Sequence, residues 1–142
     1  MQMTKFTDYG LRVLMALAVT QERALGAGQI AAQYGISQHH VAKIATALVA
    51  GGFVVSERGR GGGLRLARGA DQISLGAVVR HLSAGDILVE CMGDGSSCCI
   101  LPACGLRGPL QLAQEAFFAA LDGYSVADTV AQGAALRGLL AN

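Results

Sequence analysis

The chain has 142 residues, of which 52% are apolar, with four cysteines and a formal net charge of +1. That is enough for one domain with a real core and a helical extension. It excludes a membrane span, because apolar runs such as Val13–Val19 fall far short of the ~20 residues a spanning helix needs. A lysine and an aspartate precede the first hydrophobic stretch and no small-residue cleavage site follows, so a secretory signal is not expected and a cytoplasmic setting with reduced thiols is. The charge is unevenly spread: residues 1–70 carry eight basic against three acidic residues, a balance of +5, whereas residues 71–142 carry three against seven, a balance of −4. A basic first half beside an acidic second half suits a protein whose first part alone meets a polyanion.

The first periodic segment, residues 7–20, predicts a helix capped by Thr7 or Asp8. Leu11, Leu14, Met15 and Ala18 lie on one face with Val13 and Leu17 beside them, an apolar surface wide enough for burial on more than one side. Asp8 and Arg12 are one turn apart, the spacing of a surface ion pair. Between residues 28 and 52, Ile30, Ala31 and Tyr34 mark a short helix. Gly35 supplies the left-handed residue that ends it, and Ser37 caps a second helix with Val41, Ile44, Ala45 and Leu48 inward. This is a helix-turn-helix pattern. Gln38, His39, His40 and Lys43 open the second helix as polar, hydrogen-bonding residues, the chemistry a recognition helix uses against base edges of double-stranded DNA.

Two short alternating strands follow, expected at Phe53–Glu57 and Leu64–Ala67, with Phe53, Val55, Leu64 and Leu66 on one face and RGRGGG as the turn. A hairpin directly after a recognition helix is the wing of a winged helix. Arg58 and Arg60 at its tip and Arg65 on its outward face are placed for phosphates or the minor groove. A nucleotide-binding glycine loop is rejected, since no lysine–serine pair and no helix follow. Ser74 then caps a helix with Leu75, Val78, Val79 and Leu82 inward, ending near Gly85. Pro109 opens a longer helix with Leu110, Ala113, Phe117, Ala120 and Leu121 along one side. Leu112, Phe118 and Ala119 make it apolar nearly all round, so it needs a partner, and a symmetric dimer is expected. A last helix starts at Ser125 with a capping box to Asp128, and the tail beyond Gly133 carries no functional signal.

All four cysteines fall within the fourteen residues Cys91–Cys104. Any disulfide among them would close only a small loop, so the segment reads as a ligand loop and not as a framework. Cys91, Cys98 and Cys104 are separated by six and five residues. Structural zinc sites use pairs two to four residues apart, and neither pair matches. Wider spacing of three thiolates in one loop suits an iron–sulfur cluster. Cys99, adjacent to Cys98, is the odd thiol. A fourth ligand must come from Cys99, from Glu90 or Asp94, from solvent or from another subunit. A thiol redox switch without iron remains a rival reading, and so does an enzyme with a cysteine nucleophile, for which His81 is the only candidate base outside the recognition helix.

TDYGLRVLMALA at residues 7–18, SQHHVAKI at 37–44, RGRGGGLRLA at 58–67 and CCILPACGLRGPL at 98–110 together resemble the iron–sulfur winged-helix repressors of the IscR/NsrR group, and within it the nitric-oxide-sensing branch. The resemblance covers nearly the whole chain in order. It implies a mainly α fold, with a winged helix-turn-helix DNA-binding domain over residues 1–85, a cluster-binding loop over 86–105, and a dimerisation helix with tail over 106–142. It further implies a homodimeric repressor of a palindromic operator that loses DNA affinity when nitric oxide attacks a 2Fe-2S or 4Fe-4S cluster. The group's ligand positions fall on Cys91, Cys98 and Cys104. In some members a carboxylate of the partner's first helix completes the cluster, and Asp8 is the matching position. The first interval is longer here than in the group, and with Cys99 present either Cys98 or Cys99 fills the second position. A general regulator of iron–sulfur status, IscR-like, is the neighbouring alternative.

Overall fold

The computed structural model describes residues 3–20 and 23–141; Glu22, counted above in the basic half, lies outside them. The first helix, α1 (Lys5–Thr20), begins ahead of its expected start. Thr4, not Thr7 or Asp8, does the capping: its Oγ1 accepts the Thr7 N–H at 3.3 Å and lies 3.1 Å from the Thr7 hydroxyl. Thr7 is itself fully buried, and Val13, Leu14, Ala16, Leu17, Ala18 and Val19 are buried with it, so α1 is the central helix of the core, as its broad apolar surface requires.

Helices α2 (Ala27–Tyr34) and α3 (Gln38–Ala50) form the expected helix-turn-helix. Gly35 stands at φ 64°, the Ile36 N–H donates to Ala31 O at 3.0 Å, and the Ser37 hydroxyl accepts from the His40 N–H at 3.1 Å. The chain thus leaves one helix through a left-handed glycine and enters the next through a side-chain cap within three residues. Val41, Ile44, Ala45 and Leu48 of α3 are buried as predicted.

The wing is an antiparallel pair, β1 (Val54–Glu57) and β2 (Gly63–Leu66), in the register Val54 to Leu66 and Ser56 to Leu64. Its inward face differs from the expected one: Val54 is buried and Val55 is 43% exposed. Phe53 belongs to the exit of α3, where Gly52 is at φ 72° and the Phe53 N–H donates to Leu48 O at 3.0 Å. Alternation therefore starts one residue later than a strand beginning at Phe53 would give. Leu25 exchanges both backbone hydrogen bonds with Leu64, at 3.1 and 2.8 Å, adding a one-residue third strand along β2. A Cβ on Gly63 would come 2.8 Å from the Leu25 carbonyl, which is why that position is a glycine.

Ser74 caps α4 (Leu75–Leu82), whose Val78, Val79 and Leu82 are buried. The long helix α5 (Arg107–Asp122) lies along α4 without one fully buried residue. Its covered stripe keeps Leu110, Phe117 and Leu121 of the expected one but replaces Ala113 and Ala120, which are exposed, with Gln114 and Phe118, because the larger side chains take the side facing α4. Leu112 is 73% exposed on the far side. The helix expected to start at Ser125 is a single turn, α6 (Val126–Thr129), with the expected capping box from Ser125 to Asp128, and a further helix that was not expected, α7 (Gly133–Leu140), follows in the tail. The Arg137 guanidinium of α7 reaches back to Val19 O at the end of α1, at 3.1 Å.

Candidate nucleic-acid interface and cysteine loop

The residues singled out above form two sets. In the first, Gln38, His39 and Lys43 are exposed along the opening turns of α3. Arg58 and Arg60 are exposed at the tip of the wing, in a turn with Gly59 and Gly61 at φ 103° and 80°. The helix start and the wing tip are thus polar and cationic, while the faces behind them are held by the core. Arg65 points outward as expected but is tied to Glu57 on the neighbouring strand, with Nε 3.1 Å from Oε2. His40 behaves differently from its neighbours: its half-buried ring lies 6.2 Å from Phe6 in a stacked arrangement and 5.4 Å from Tyr9 edge-on, both on α1.

The position of the wing relative to α3 is fixed by Arg68, which the sequence reading did not single out, and by His81, which it considered only as a base. Arg68 donates to Gly52 O at 3.2 Å and to Gln72 O at 3.3 Å, and its guanidinium stands 5.7 Å from the Phe53 ring. His81 lies with Nε2 2.8 Å from Ala47 O and its ring edge-on to Phe53 at 5.6 Å, which occupies the one histidine considered as a base for a cysteine nucleophile. Only the cationic or aromatic residue types at strand and helix ends hinted at these roles.

The second set of residues is divided between α1, which carries Asp8, and the segment between α4 and α5, which carries the thiols. Asp8, half-buried, forms the expected ion pair with Arg12: Oδ2 to Nη2 at 3.0 Å and Oδ1 to Nε at 3.1 Å. The carboxylate raises the Arg12 pKa further above its ordinary value, mainly through that hydrogen bond. The Tyr34 hydroxyl donates to Arg12 O at 2.9 Å, and the phenol pKa is pushed up by burial. Asp8 and Arg12 edge a mostly apolar cleft of about 340 Å³ that Leu11, Met15, Leu75 and Leu136 also line.

Between α4 and α5 the chain forms only two short 3₁₀ turns, Glu90–Met92 and Leu101–Ala103. Cys91 and Cys104 are half-buried, Cys98 and Cys99 are exposed, and all four are free thiols. The Cys98 N–H donates to the Ser96 hydroxyl at 3.3 Å. Among the described residues no three histidine, cysteine or acidic side chains converge tightly enough to hold a single metal ion. The donor chemistry nevertheless fits an iron–sulfur cluster, with several soft thiols and no disulfide in one segment of largely irregular structure. Across the junction α4 is locked to α5: Arg80 holds Asp122 through two hydrogen bonds of 2.7 and 2.8 Å, and its guanidinium stands 4.9 Å from the Phe118 ring.

Comparison with known proteins places this architecture. Residues 3–132 match the model of the Rrf2 family, described as an iron-dependent transcriptional regulator. The chain is 44% identical over 142 residues to the HTH-type transcriptional regulator NsrR of Geobacillus kaustophilus (strain HTA426), covering 99% of this chain and 97% of that one. Among solved structures it resembles CymR, the global cysteine regulator of B. subtilis, with TM-score 0.72 and 24% identity over 93% of this chain and 98% of that one. It likewise resembles T. potens IscR, with TM-score 0.72 and 21% identity over 92% and 86% of the two chains. No helix among the described residues is long and apolar enough to cross a membrane. With a winged helix, an exposed polar helix start and a family match over nearly its full length, the chain belongs to the Rrf2 family of transcriptional regulators and is not an enzyme.

Proposed function

We infer that this regulator is a homodimeric, cytoplasmic repressor that binds a palindromic operator and senses nitric oxide through an iron–sulfur cluster. The observation that carries the reading is a winged helix joined, through one helix, to a loop that holds every thiol of the chain and has no disulfide. Likeness to a relative named NsrR supports nitric oxide as the signal. Gln38, His39 and Lys43 meet base edges, while Arg58 and Arg60 meet phosphates or the minor groove, with Arg65 behind them on the wing. Two copies place their α3 helices in half-sites about 34 Å apart, or a multiple of that. The exposed side of α5, with Leu112 outward, is the surface on which the second copy packs.

Cys91, Cys98 and Cys104 hold the cluster, and Asp8 of the second copy supplies the fourth ligand, with Cys99 as the alternative thiol. When bound, the cluster supplies iron that reacts with nitric oxide. What the chain contributes is the connection. Asp8 lies on α1, α1 packs on α3, and α4 leads into the loop, so Asp8 and the other copy's thiolates, holding one cluster between them, would tie the reading head of one chain to the stalk of the other. Loss of that tie changes the separation of the two α3 helices and with it the fit to the half-sites. The exposure of Cys98 and Cys99 favours a second reading, a thiol switch without iron. Anaerobic purification followed by iron and sulfide analysis and a visible spectrum separates the two. Stoichiometric iron and sulfide with charge-transfer absorption is expected, and a colourless, iron-free protein would establish the thiol switch instead.

A further inference from the structure

His40 stands in the opening turn of α3 among residues that are exposed, yet its ring is turned onto α1. It is stacked on Phe6 with 26° between the planes and meets Tyr9 edge-on at 76°, the two arrangements favoured by aromatic pairs. The buried contacts of α3 begin at Val41 and continue through Ile44, Ala45 and Leu48. The turn that precedes them is held by the Ser37 cap, by Gln38 lying against Gly28, and by His40. Arg12 extends the cluster, its guanidinium 5.6 Å from the Tyr9 ring while it pairs with Asp8.

We propose that His40 is a positioning residue that clasps the first turn of the recognition helix to α1 through Phe6 and Tyr9, and that it does not read a base. This rests on α3 being the base-reading helix, as proposed above. A side chain that reads a base must leave its helix and reach into the groove, and a ring engaged on α1 by two others is held back from doing so. What the ring contributes instead is the angle at which Gln38, His39 and Lys43 are presented, so its loss should weaken the operator complex without changing which base is preferred anywhere.

The test uses the full-length dimer with three substitutions, His40→Phe, His40→Gln and Phe6→Leu. Each is checked by thermal unfolding and then titrated against the operator and against operators substituted at every base pair. His40→Phe keeps the aromatic packing but cannot hydrogen-bond. It should bind within about twofold of the parent and with the same base preferences. His40→Gln keeps the hydrogen bonding but loses the ring, and should bind roughly three- to tenfold more weakly at every operator alike. Adding Phe6→Leu to His40→Gln should cost less than the two separate losses combined, because the contact is already gone. The proposal is overturned if His40→Phe relaxes discrimination at one base pair while His40→Gln retains it, or if the Phe6→Leu and His40→Gln losses simply multiply. If the parent itself shows no sequence-specific binding, the reading of α3 fails and this proposal falls with it.

Discussion

Removing either side of the Asp8–Arg12 pair separates a bland surface contact from a ligand. Asp8 and Arg12 are 42% and 47% exposed and lie one helical turn apart. A pair in that setting contributes about 0.3–0.5 kcal/mol. For a chain of this size that corresponds to a shift of roughly 1–2 °C in Tm. Arg12 also lies 5.6 Å from the Tyr9 ring, which at an exposed site adds about 0.5–1 kcal/mol. Thermal unfolding of the cluster-free protein should therefore rank Arg12→Ala as at least as damaging as Asp8→Ala, with both effects small. The anaerobic, cluster-loaded protein should show the opposite order. Asp8→Ala should change the circular dichroism of the cluster and hasten its loss to a chelator, whereas Arg12→Ala, which keeps the carboxylate, should do neither. Equal perturbation by both, or by neither, would remove Asp8 from the ligand set and leave the fourth position to Cys99, to Glu90 or Asp94, or to solvent.

At the wing, Arg60→Ala should weaken binding to all DNA sequences alike and lower the slope of log affinity against log salt by about one, as should Arg58→Ala; unchanged slopes for both would remove the wing tip from the interface. In the loop, Cys91→Ala, Cys98→Ala and Cys104→Ala should each abolish cluster retention, measured as iron per dimer, while Cys99→Ala leaves it; the reverse outcome for Cys98 and Cys99 would move the second ligand by one position. At the junction of α4 and α5, Arg80 holds the Asp122 carboxyl below its ordinary value of 3.8. The stabilisation from that pair is then fully present above the ordinary value and is lost as pH falls through the lowered one. Protection of the amides at the C-terminal end of α5 from hydrogen exchange, taken relative to the intrinsic rate at each pH, should accordingly fall only below about pH 4, and Asp122→Asn should remove that fall.

Features determined by a few consecutive residues were legible in the sequence. Gly35 and Ser37 define the turn of the helix-turn-helix, and Ser74 and the Ser125–Asp128 capping box define two further helix starts, because each acts on backbone within four residues. Features that depend on how two elements meet were not. Phe53 belongs to the exit of α3, which shifts the wing's alternation, and that exit shows in the left-handed Gly52 and the hydrogen bond to Leu48. The covered stripe of α5 is the side that packs on α4, which its own apolar residues, present on nearly every side, do not define. Helix α7 went unread because GAALRGLL has two glycines and is steadied by Arg137 reaching Val19. The donor chemistry of the cysteine loop could be read from residue types alone. A segment without periodicity, however, carries no geometry in its sequence, and a ligand from a second copy has no signature in spacing. The packing of His40 on Phe6 and Tyr9 likewise depends on how α1 and α3 cross.

The central claim, that one cluster links the signal to the operator, is tested most directly by adding nitric oxide stepwise to anaerobically purified protein while its visible absorption and its operator binding are followed in the same sample. The account predicts that the two decline together, with the same midpoint in nitric oxide per cluster, and that Cys104→Ala protein, lacking the cluster, shows neither the absorption nor a response of its residual DNA binding to nitric oxide. Operator binding that persists after the absorption has gone, or a nitric oxide response in protein that carries no iron, would contradict it.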